Sequence, residues 1–331
     1  MKARPLILLG GLAGSLSVHP ALADPPSDPV GIWTIQDENA SLSTASLTDR
    51  YYVNGLLLGY TSPTGEVPDF LNRLAYALFG YGQTRFGISA QQKIYTAADT
   101  TADPPPPGDH PYAGWLTATG SLLLDTDNTR NTLAVSLGWI GPPALGRQVQ
   151  NGFHAIIGQN QTKGWDYQLE TEFAGQLLGD RVWRVPLYEV AGLETDALPE
   201  VQLGAGTLQD YALAGVNFRI GSGLQSDYGA PRLPPGVTGN YAYTPVHPFD
   251  WYVFAGGDGI AKAHDVFLQG NNFSSSFHVS MIPVVGGAQF GVAFIWHGVR
   301  LSYTQVFQTQ EFHGQKDGLH QFGSIALSVR F

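Results

Sequence analysis

Hydrophobic and polar residues alternate strictly along the C-terminal segment of the chain. Ile325, Leu327, Val329 and Phe331 fall on one face, and Ser324, Ala326, Ser328 and Arg330 fall on the other. A two-residue period of this kind predicts a β-strand with lipid on one side and a polar lumen on the other. The last strand of a soluble β-sandwich alternates equally well, so the choice depends on the rest of the chain.

Strand-like segments recur throughout the sequence, and most have about the 9–11 residues that a membrane-spanning strand requires. They are Gly31–Asn39, Tyr51–Ser62, Thr84–Thr96, Trp115–Asp125, Thr132–Ile140, Trp165–Leu178, Trp183–Ala191 continuing irregularly into Glu200–Leu208, Tyr211–Ile220, Trp251–Leu268, Phe277–Phe294, Val299–Phe312 and His320–Phe331. Tight turns are predicted at Asp125–Asn128 and Trp296–Gly298. The pattern predicts an all-β fold, a transmembrane antiparallel β-barrel.

Helix is predicted in two connections. The segment Pro143–Ile157 is followed by Gly158, which suits a helix C-cap. A second helix is predicted over Pro68–Leu78, with its proline in the first turn. If the N-terminus lies in the periplasm, Pro143–Ile157 is a short helix in an outer-rim connection, and the connections on that rim are longer and more polar than most inner ones.

Residues 1–23 carry the features of a secretory signal peptide. Lys2 and Arg4 precede the apolar stretch Leu6–Val18, and Ala21 and Ala23 form a small-x-small cleavage site. No later segment has the roughly 20 uninterrupted apolar residues of a membrane helix. We therefore predict a signal peptide at 1–23 and a single outer-membrane β-barrel domain over 24–331.

Composition narrows the class further. Of the 331 residues only 13% are charged, while 41 are glycine and 12% are aromatic. This composition excludes a disordered polar chain and disfavours an ordinary helical enzyme. The absence of cysteine excludes a disulfide framework, a thiolate zinc site and a cysteine nucleophile. The net charge of -10 predicts no nucleic-acid partner, because phosphate contacts require clustered Lys and Arg.

Gln150 and His154 are the most informative polar pair, because they share one face of the predicted helix. An imidazole titrates near neutrality and can act as a general base, and a glutamine can hold a substrate or orient water. A histidine that only pads the helix is the alternative. A second enzymatic interpretation, a Ser–His phospholipase-type barrel, uses His278 and Ser280, which alternate onto one face.

Several short motifs occur in a fixed order around this pair. They are Thr48–Gly55, Asp109–Trp115, Gly141–Gly146 with Gln150 and His154, Gly164–Leu169, and the closing segment Phe312–Phe331. Together they resemble the outer-membrane lipid A 3-O-deacylase family (LpxR type). The resemblance covers most of the chain after the predicted signal peptide.

The resemblance implies a barrel of about 12 strands in the bacterial outer membrane, in agreement with the even number of predicted strands. It also implies a carboxylic ester hydrolase that removes the 3′-linked acyloxyacyl chain of lipid A with a histidine base and a calcium ion. The histidine aligns with His154, its neighbouring glutamine with Gln150, and an asparagine with Asn39. The partners it implies are lipid A or lipopolysaccharide and outer-membrane lipids, and we expect a monomer.

Three positions depart from the family pattern. Ala40 replaces an aspartate, Val53 replaces a threonine, and a lysine expected near Ala102 is absent from that loop. The loss of a carboxylate weakens the calcium site, because Ca²⁺ favours charged oxygen ligands. Asp37 shares a strand face with Asn39, so these two residues are the candidate metal ligands, with Glu38 and Asp49 left open as substitutes.

Arg50, Arg147 and Lys163 lie in the predicted rim loops, where they could bind lipid A phosphates. Solvated loop charges are the alternative for each of them. The three departures also favour a non-enzymatic alternative, a catalytically silent barrel relative, over a small porin-like channel.

Overall fold

The computed structural model describes residues 27–44, 50–236, 241–316 and 318–331. The predicted signal peptide, 1–23, and the candidate ligand Asp49 lie outside the described residues, so both stay predictions.

The described chain forms one antiparallel sheet in which almost every strand pairs with its neighbours in sequence. The strands are β1 (Ile32–Asn39), β2 (Tyr51–Thr61), β3 (Gln83–Thr96), β4 (Ala113–Asp125), β5 (Thr129–Ile140), β6 (Glu172–Trp183), β7 (Val185–Pro186), β8 (Glu194–Gly206), β9 (Gln209–Ser222), β10 (Phe249–Asp265), β11 (Val284–Trp296), β12 (Val299–Thr309) and β13 (Leu319–Arg330). β1 pairs with β13, and β6 pairs with β8. The sheet therefore closes into a 12-strand barrel, with the two-residue β7 added beside β8.

Side-chain alternation confirms which face of the wall meets lipid. In β13, Ile325, Leu327 and Val329 are 37–40% exposed, whereas Ser324 and Ser328 are almost fully buried in the lumen. A soluble sandwich would bury the apolar face instead. The predicted all-β transmembrane barrel is thus confirmed.

Three predicted strands begin later than expected. The strand predicted over Trp183–Ala191 and Glu200–Leu208 is β8, which starts at Glu194. The segment predicted over Trp165–Leu178 starts at Glu172, because 164–167 form a 3-10 helix and Trp165 is buried beneath a neighbouring helix. The segment predicted over Phe277–Phe294 starts at Val284. Alternation in the sequence could not show that these residues pack as loops on the rim.

Three α-helices occur in the described residues: α1 (Asp69–Phe79), α2 (Gly146–Ile157) and α3 (Val266–Gln269). The first two correspond to the predicted helices, and Gly158 caps α2 in the left-handed conformation as expected. None of these helices is long and apolar enough to cross a membrane.

The connections alternate between the two ends of the barrel. We call the end at Asn39 the outer rim and the other end the inner rim, following the predicted periplasmic N-terminus. The inner connections 126–128 and 297–298 are short, as expected, but the inner connection 223–248 is long. Its described part folds into the lumen, where the backbone N–H of Leu233 donates to Glu38 of β1 at 2.9 Å.

Candidate active site

Helix α2 packs on the outside of the wall at the outer rim, against β3 and β4. Small residues permit this close approach. A Cβ added to Gly146 would lie 2.5 Å from the Trp165 ring, and one added to Gly114 would lie 2.9 Å from Ala144. Gly114 and Gly146, which belong to two of the sequence motifs, are therefore needed where α2 approaches β4.

The sequence motifs also contact one another. The rings of Tyr112 and Trp165 meet edge to face at 5.3 Å, and the backbone N–H of Leu169 donates to the carbonyl of Tyr112 at 2.8 Å. Gly164 lies against the Tyr112 ring, where a Cβ would be 2.3 Å from a ring carbon. The motifs therefore form the support under α2, which explains why they occur together.

A cavity of about 500 Å³ lies between α2 and the outward faces of β1, β2, β3 and β13. Its polar lining residues are Asp37, Asn39, Ser41, Asn54, Gln150, His154 and Gln159, and its apolar ones are Ile35, Val53, Leu56, Ile94, Val149, Phe153, Ile157, Ile325 and Leu327. The fold thus brings four predicted site residues together. Asp37 and Asn39 come from β1, and Gln150 and His154 come from α2, more than a hundred residues later in the chain.

His154 is 6% exposed and lies on the cavity side of α2. Its Nδ1 lies 2.8 Å from the carbonyl oxygen of Asn160. Because a carbonyl can only accept, Nδ1 carries the proton in the neutral ring and Nε2 carries the lone pair. The turn after the helix therefore fixes the tautomer that a general base requires.

Gln150 and Asn39 are each oriented by an N–H group, which can only donate. The indole Nε1 of Trp165 donates to Gln150 Oε1 at 3.0 Å. The backbone N–H of Ser41 donates to Asn39 Oδ1 at 2.8 Å, and the Ser41 hydroxyl donates to the same atom at 2.6 Å. Both side-chain oxygens are thus engaged within the protein, and the amide nitrogens are the groups oriented to donate.

The calcium site implied by the resemblance does not fit this donor set. The Asn39 oxygen already accepts two hydrogen bonds, and Asp37 Oδ1 accepts one from Asn54 at 2.8 Å. Ala40 and Val53 contribute only buried methyl groups. In the described part of the chain, no three His, Cys, Asp or Glu residues are grouped to hold a metal. Ca²⁺ takes six to eight oxygen ligands, so we derive no catalytic step through a metal.

Glu38, the other described carboxylate considered as a metal ligand, points away from the cavity. It is 1% exposed in the lumen, where it accepts from the hydroxyl of Tyr52 at 3.0 Å. The prediction from alternation that Asp37, and not Glu38, shares the face of Asn39 is therefore confirmed.

The three candidate phosphate-binding residues lie outside the cavity lining. Arg147 is exposed and pairs with Asp166 at 2.6 Å. Lys163 is exposed on the loop after α2, and the Arg50 guanidinium lies 5.6 Å from the Tyr51 ring centroid. They surround the outer rim, so their proposed role with lipid A phosphates stays a prediction.

Sequence reasoning missed several lining residues. Ser41 lies in no motif, and the motif Thr48–Gly55 that contains Asn54 predicts no side-chain contact for it. The stripe Val149, Phe153 and Ile157, in contrast, is visible at helical spacing. Trp165, which holds Gln150, was recognised only as part of a motif. The four-residue spacing of Gln150 and His154, beside that of Val149, Phe153 and Ile157, indicates that α2 has a polar face next to an apolar one.

The described residues show no comparable arrangement for the Ser–His interpretation, which uses His278 and Ser280. His278 and Ser280 are both exposed, and they lie in a loop before β11. The ring Nδ1 of His278 lies 3.1 Å from the Ser276 carbonyl, and the described residues show no hydrogen bond between the pair.

The lumen of the barrel is filled by paired charges. Arg219 contacts Asp196 at 2.5 Å and Asp227 at 2.6 Å, and Asp227 also contacts Arg300 at 3.2 Å. Burial alone would raise the pKa of Asp227, but the two guanidiniums hold it below its ordinary value. Two cavities within the described part of the lumen have volumes of about 60 and 130 Å³. This arrangement disfavours the porin-like alternative.

Comparisons with known proteins agree with this geometry. Residues 8–331 match the family model described as outer membrane protein LpxR. The solved structure of LpxR from Salmonella typhimurium is similar over 91% of this chain and 100% of that chain, with a TM-score of 0.73 and 20% identity. The β-domain of the Bordetella autotransporter BrkA aligns over 92% and 99% with a TM-score of 0.44 and 10% identity. No curated protein sequence matches the chain.

The Salmonella structure supports the barrel fold, and the family match extends over nearly the whole chain. The predicted outer-membrane localisation is therefore confirmed, and the chain belongs to the LpxR family of outer membrane proteins.

Proposed function

We propose that this protein is a lipid A 3′-O-deacylase that hydrolyses the 3′-linked acyloxyacyl ester in the outer leaflet. One observation carries the proposal: an imidazole and two oriented amides line a cavity on the lipid-facing side of the wall at the outer rim. Family membership and the motif resemblance supply the substrate class.

The cavity suits an amphiphile. Its walls include Ile35, Leu56 and Leu327, which are 40–50% exposed and belong to the outward face of the barrel. A fatty acyl chain can lie along this surface without leaving the apolar phase. The polar groups lie at the ends of β1 and α2, where the ester of a lipid in the outer leaflet would be.

In the proposed reaction His154 Nε2 takes a proton from water, and the resulting hydroxide attacks the ester carbonyl. The amide N–H groups of Gln150 and Asn39 donate to the oxyanion that develops. When the carbonyl re-forms, the C–O bond to the sugar breaks. The leaving sugar oxygen takes the proton from His154. The products are the free acyloxyacyl acid and the 3′-hydroxyl, so atoms and charge balance.

Calcium remains an untested expectation beside this mechanism. Asp37 and Asn39 are its candidate ligands, but Asn39 Oδ1 and one carboxylate oxygen of Asp37 already accept hydrogen bonds within the protein. In the proposed mechanism the amide N–H groups of Gln150 and Asn39 therefore stabilise the oxyanion, a role that a cation would otherwise have.

The experiment is lipid A mass spectrometry on membranes that contain the wild type, His154→Ala or His278→Ala. Expression of the wild type should produce lipid A that lacks the 3′-acyloxyacyl group. His154→Ala should lower turnover by about 10²–10⁴-fold, the usual contribution of a general base.

His278→Ala is the matched control, because it removes an exposed histidine outside the cavity and should keep full turnover. Loss of turnover in His278→Ala, with His154→Ala unaffected, would instead support the Ser–His interpretation. A folded wild-type barrel that leaves lipid A intact would mean a catalytically silent relative, which the apolar Ala40 and Val53 favour.

A further inference from the structure

Helix α1 has two apolar faces. One face packs on the outside of the barrel at the inner rim, where Ala75 is fully buried against Leu122 and Leu124 of β4. Leu122 and Leu124 alternate with lumen-facing Leu123, so they belong to the lipid-facing surface of the wall. The helix therefore lies outside the barrel and replaces lipid over this part of the wall.

A neighbouring face of α1 is apolar and exposed. Phe70, Leu74 and Leu78 are 63%, 45% and 54% exposed, and they recur every four residues as one stripe. Tyr81, just after the helix, extends this stripe and is 81% exposed. An uncovered stripe of this kind on a helix that is itself held against the wall points to a further apolar partner.

Local contacts fix the orientation of the stripe. The Asn72 side chain donates to the carbonyl of Val67 at 2.9 Å, and the hydroxyl of Thr84 in β3 donates to Asn72 at 2.6 Å. Gly80 ends the helix with φ of 88°, and its N–H donates to Tyr76. Because Asn72 is bonded to β3 and Ala75 packs on β4, the stripe cannot turn inward.

Charge and aromatic residues around the stripe identify the partner. Arg73 is exposed within it, and the guanidinium of Arg181 lies 5.7 Å from the Phe79 ring and 5.8 Å from the Trp183 ring. Cations beside aromatic rings at the edge of an apolar surface are typical of the membrane–water interface. The stripe is also continuous with the lipid-facing wall, since Phe86 packs under α1 and Ile88 on the same face is 57% exposed.

We propose that α1 is an interfacial helix that lies in the periplasmic leaflet of the outer membrane. Phe70, Leu74 and Leu78 contact phospholipid acyl chains, and Arg73 and Arg181 contact the phosphates. Since α1 and α2 both pack against β4 near opposite ends, α1 fixes the depth at which the wall sits in the bilayer. This inference is independent of the catalytic proposal.

The test uses the absence of cysteine from the chain. Three single-cysteine variants of the full-length protein, Leu74→Cys, Ile88→Cys and Asn128→Cys, are labelled with an environment-sensitive fluorophore. They are reconstituted in vesicles of phosphatidylethanolamine and phosphatidylglycerol. Ile88 is the lipid-facing control, and Asn128 is the exposed inner-rim turn control.

The label at position 74 should show the blue-shifted emission of position 88. Brominated acyl chains should quench it to the same extent, whereas iodide on both sides of the membrane should quench only position 128. Quenching of position 74 by iodide, as at 128, would overturn the proposal. Protection of position 74 from both quenchers would overturn it too, because a second copy or another protein would then cover α1. Heat-dependent gel migration checks that each variant has folded.

Discussion

The cavity beneath α2 and the lumen of the same barrel both contain buried polar groups, but they satisfy them differently. In the lumen, full charges are paired: Arg219 is enclosed by Asp196 and Asp227. In the cavity, Gln150 and Asn39 are neutral amides, and hydrogen bonds from Trp165 and Ser41 orient their side-chain oxygens. The lumen is therefore arranged for stability, and the cavity for binding a group that develops charge.

This difference favours the outside of the wall over the lumen as the place of the proposed reaction. A buried ion pair is already neutralised, so it offers little to a substrate and costs much to break. Oriented neutral donors beside an imidazole cost less to bury and can respond to a developing oxyanion. A lipid ester also reaches the outside of the wall directly from the bilayer, whereas it would have to leave the apolar phase to enter the lumen.

Breaking the lumen network should have the largest effect on stability. Arg219→Ala leaves the carboxylate of Asp196 buried without its guanidinium and leaves Asp227 with Arg300 alone, and we expect a loss of about 3–5 kcal/mol in the free energy of unfolding. Urea unfolding followed by tryptophan fluorescence measures it. Turnover of lipid A per folded molecule should remain that of the wild type.

Arg147→Ala is the matched control for stability, because its ion pair with Asp166 is exposed. An exposed pair contributes about 0–1 kcal/mol, so this variant should unfold as the wild type does. If Arg219→Ala is no less stable than Arg147→Ala, the contrast between lumen and cavity is wrong.

A smaller effect is expected from the donor that orients Gln150. Trp165→Phe keeps most of the ring but removes its N–H, so the amide loses one hydrogen bond of about 1 kcal/mol. We expect about a five-fold fall in kcat with little change in KM, because the substrate is held mainly by the apolar wall.

Tyr112→Phe provides the comparison for Trp165→Phe, since it retains the ring that contacts Trp165. It should leave the ratio of kcat to KM close to that of the wild type. A rise in KM at constant kcat for Trp165→Phe would mean that Trp165 only supports the helix and does not orient a catalytic amide.

The smallest change is expected from removal of divalent cations. Because Asn39 Oδ1 and Asp37 Oδ1 accept hydrogen bonds within the protein, turnover of the purified enzyme in detergent should be the same with a chelator and with added Ca²⁺. Loss of turnover in the chelator, restored by Ca²⁺ but not by Mg²⁺, would contradict the amide arrangement and support Asp37 and Asn39 as ligands.

Much of the fold was predictable because a strand in a barrel wall has only two faces. The alternation in β13 and the turns at 126–128 and 297–298 follow from local pattern. The start of β6 was not predictable, because burial of Trp165 depends on Gly146 and Tyr112, which reach it only in the folded chain. The same holds for the inner connection 223–248, whose polar residues find partners only inside the lumen.

The sequence by itself determined the alternating wall, the helix that carries Gln150 and His154, and the ordered motifs of the family. Only the tertiary structure decided that Asn39 meets that helix, that Glu38 faces the lumen, and that Trp165 and Ser41 engage the amide oxygens. The physical reason is that closing the barrel brings β1, β2, β3 and β13 beside α2. Hydrogen-bond orientation between such distant segments leaves no periodic signal in the chain.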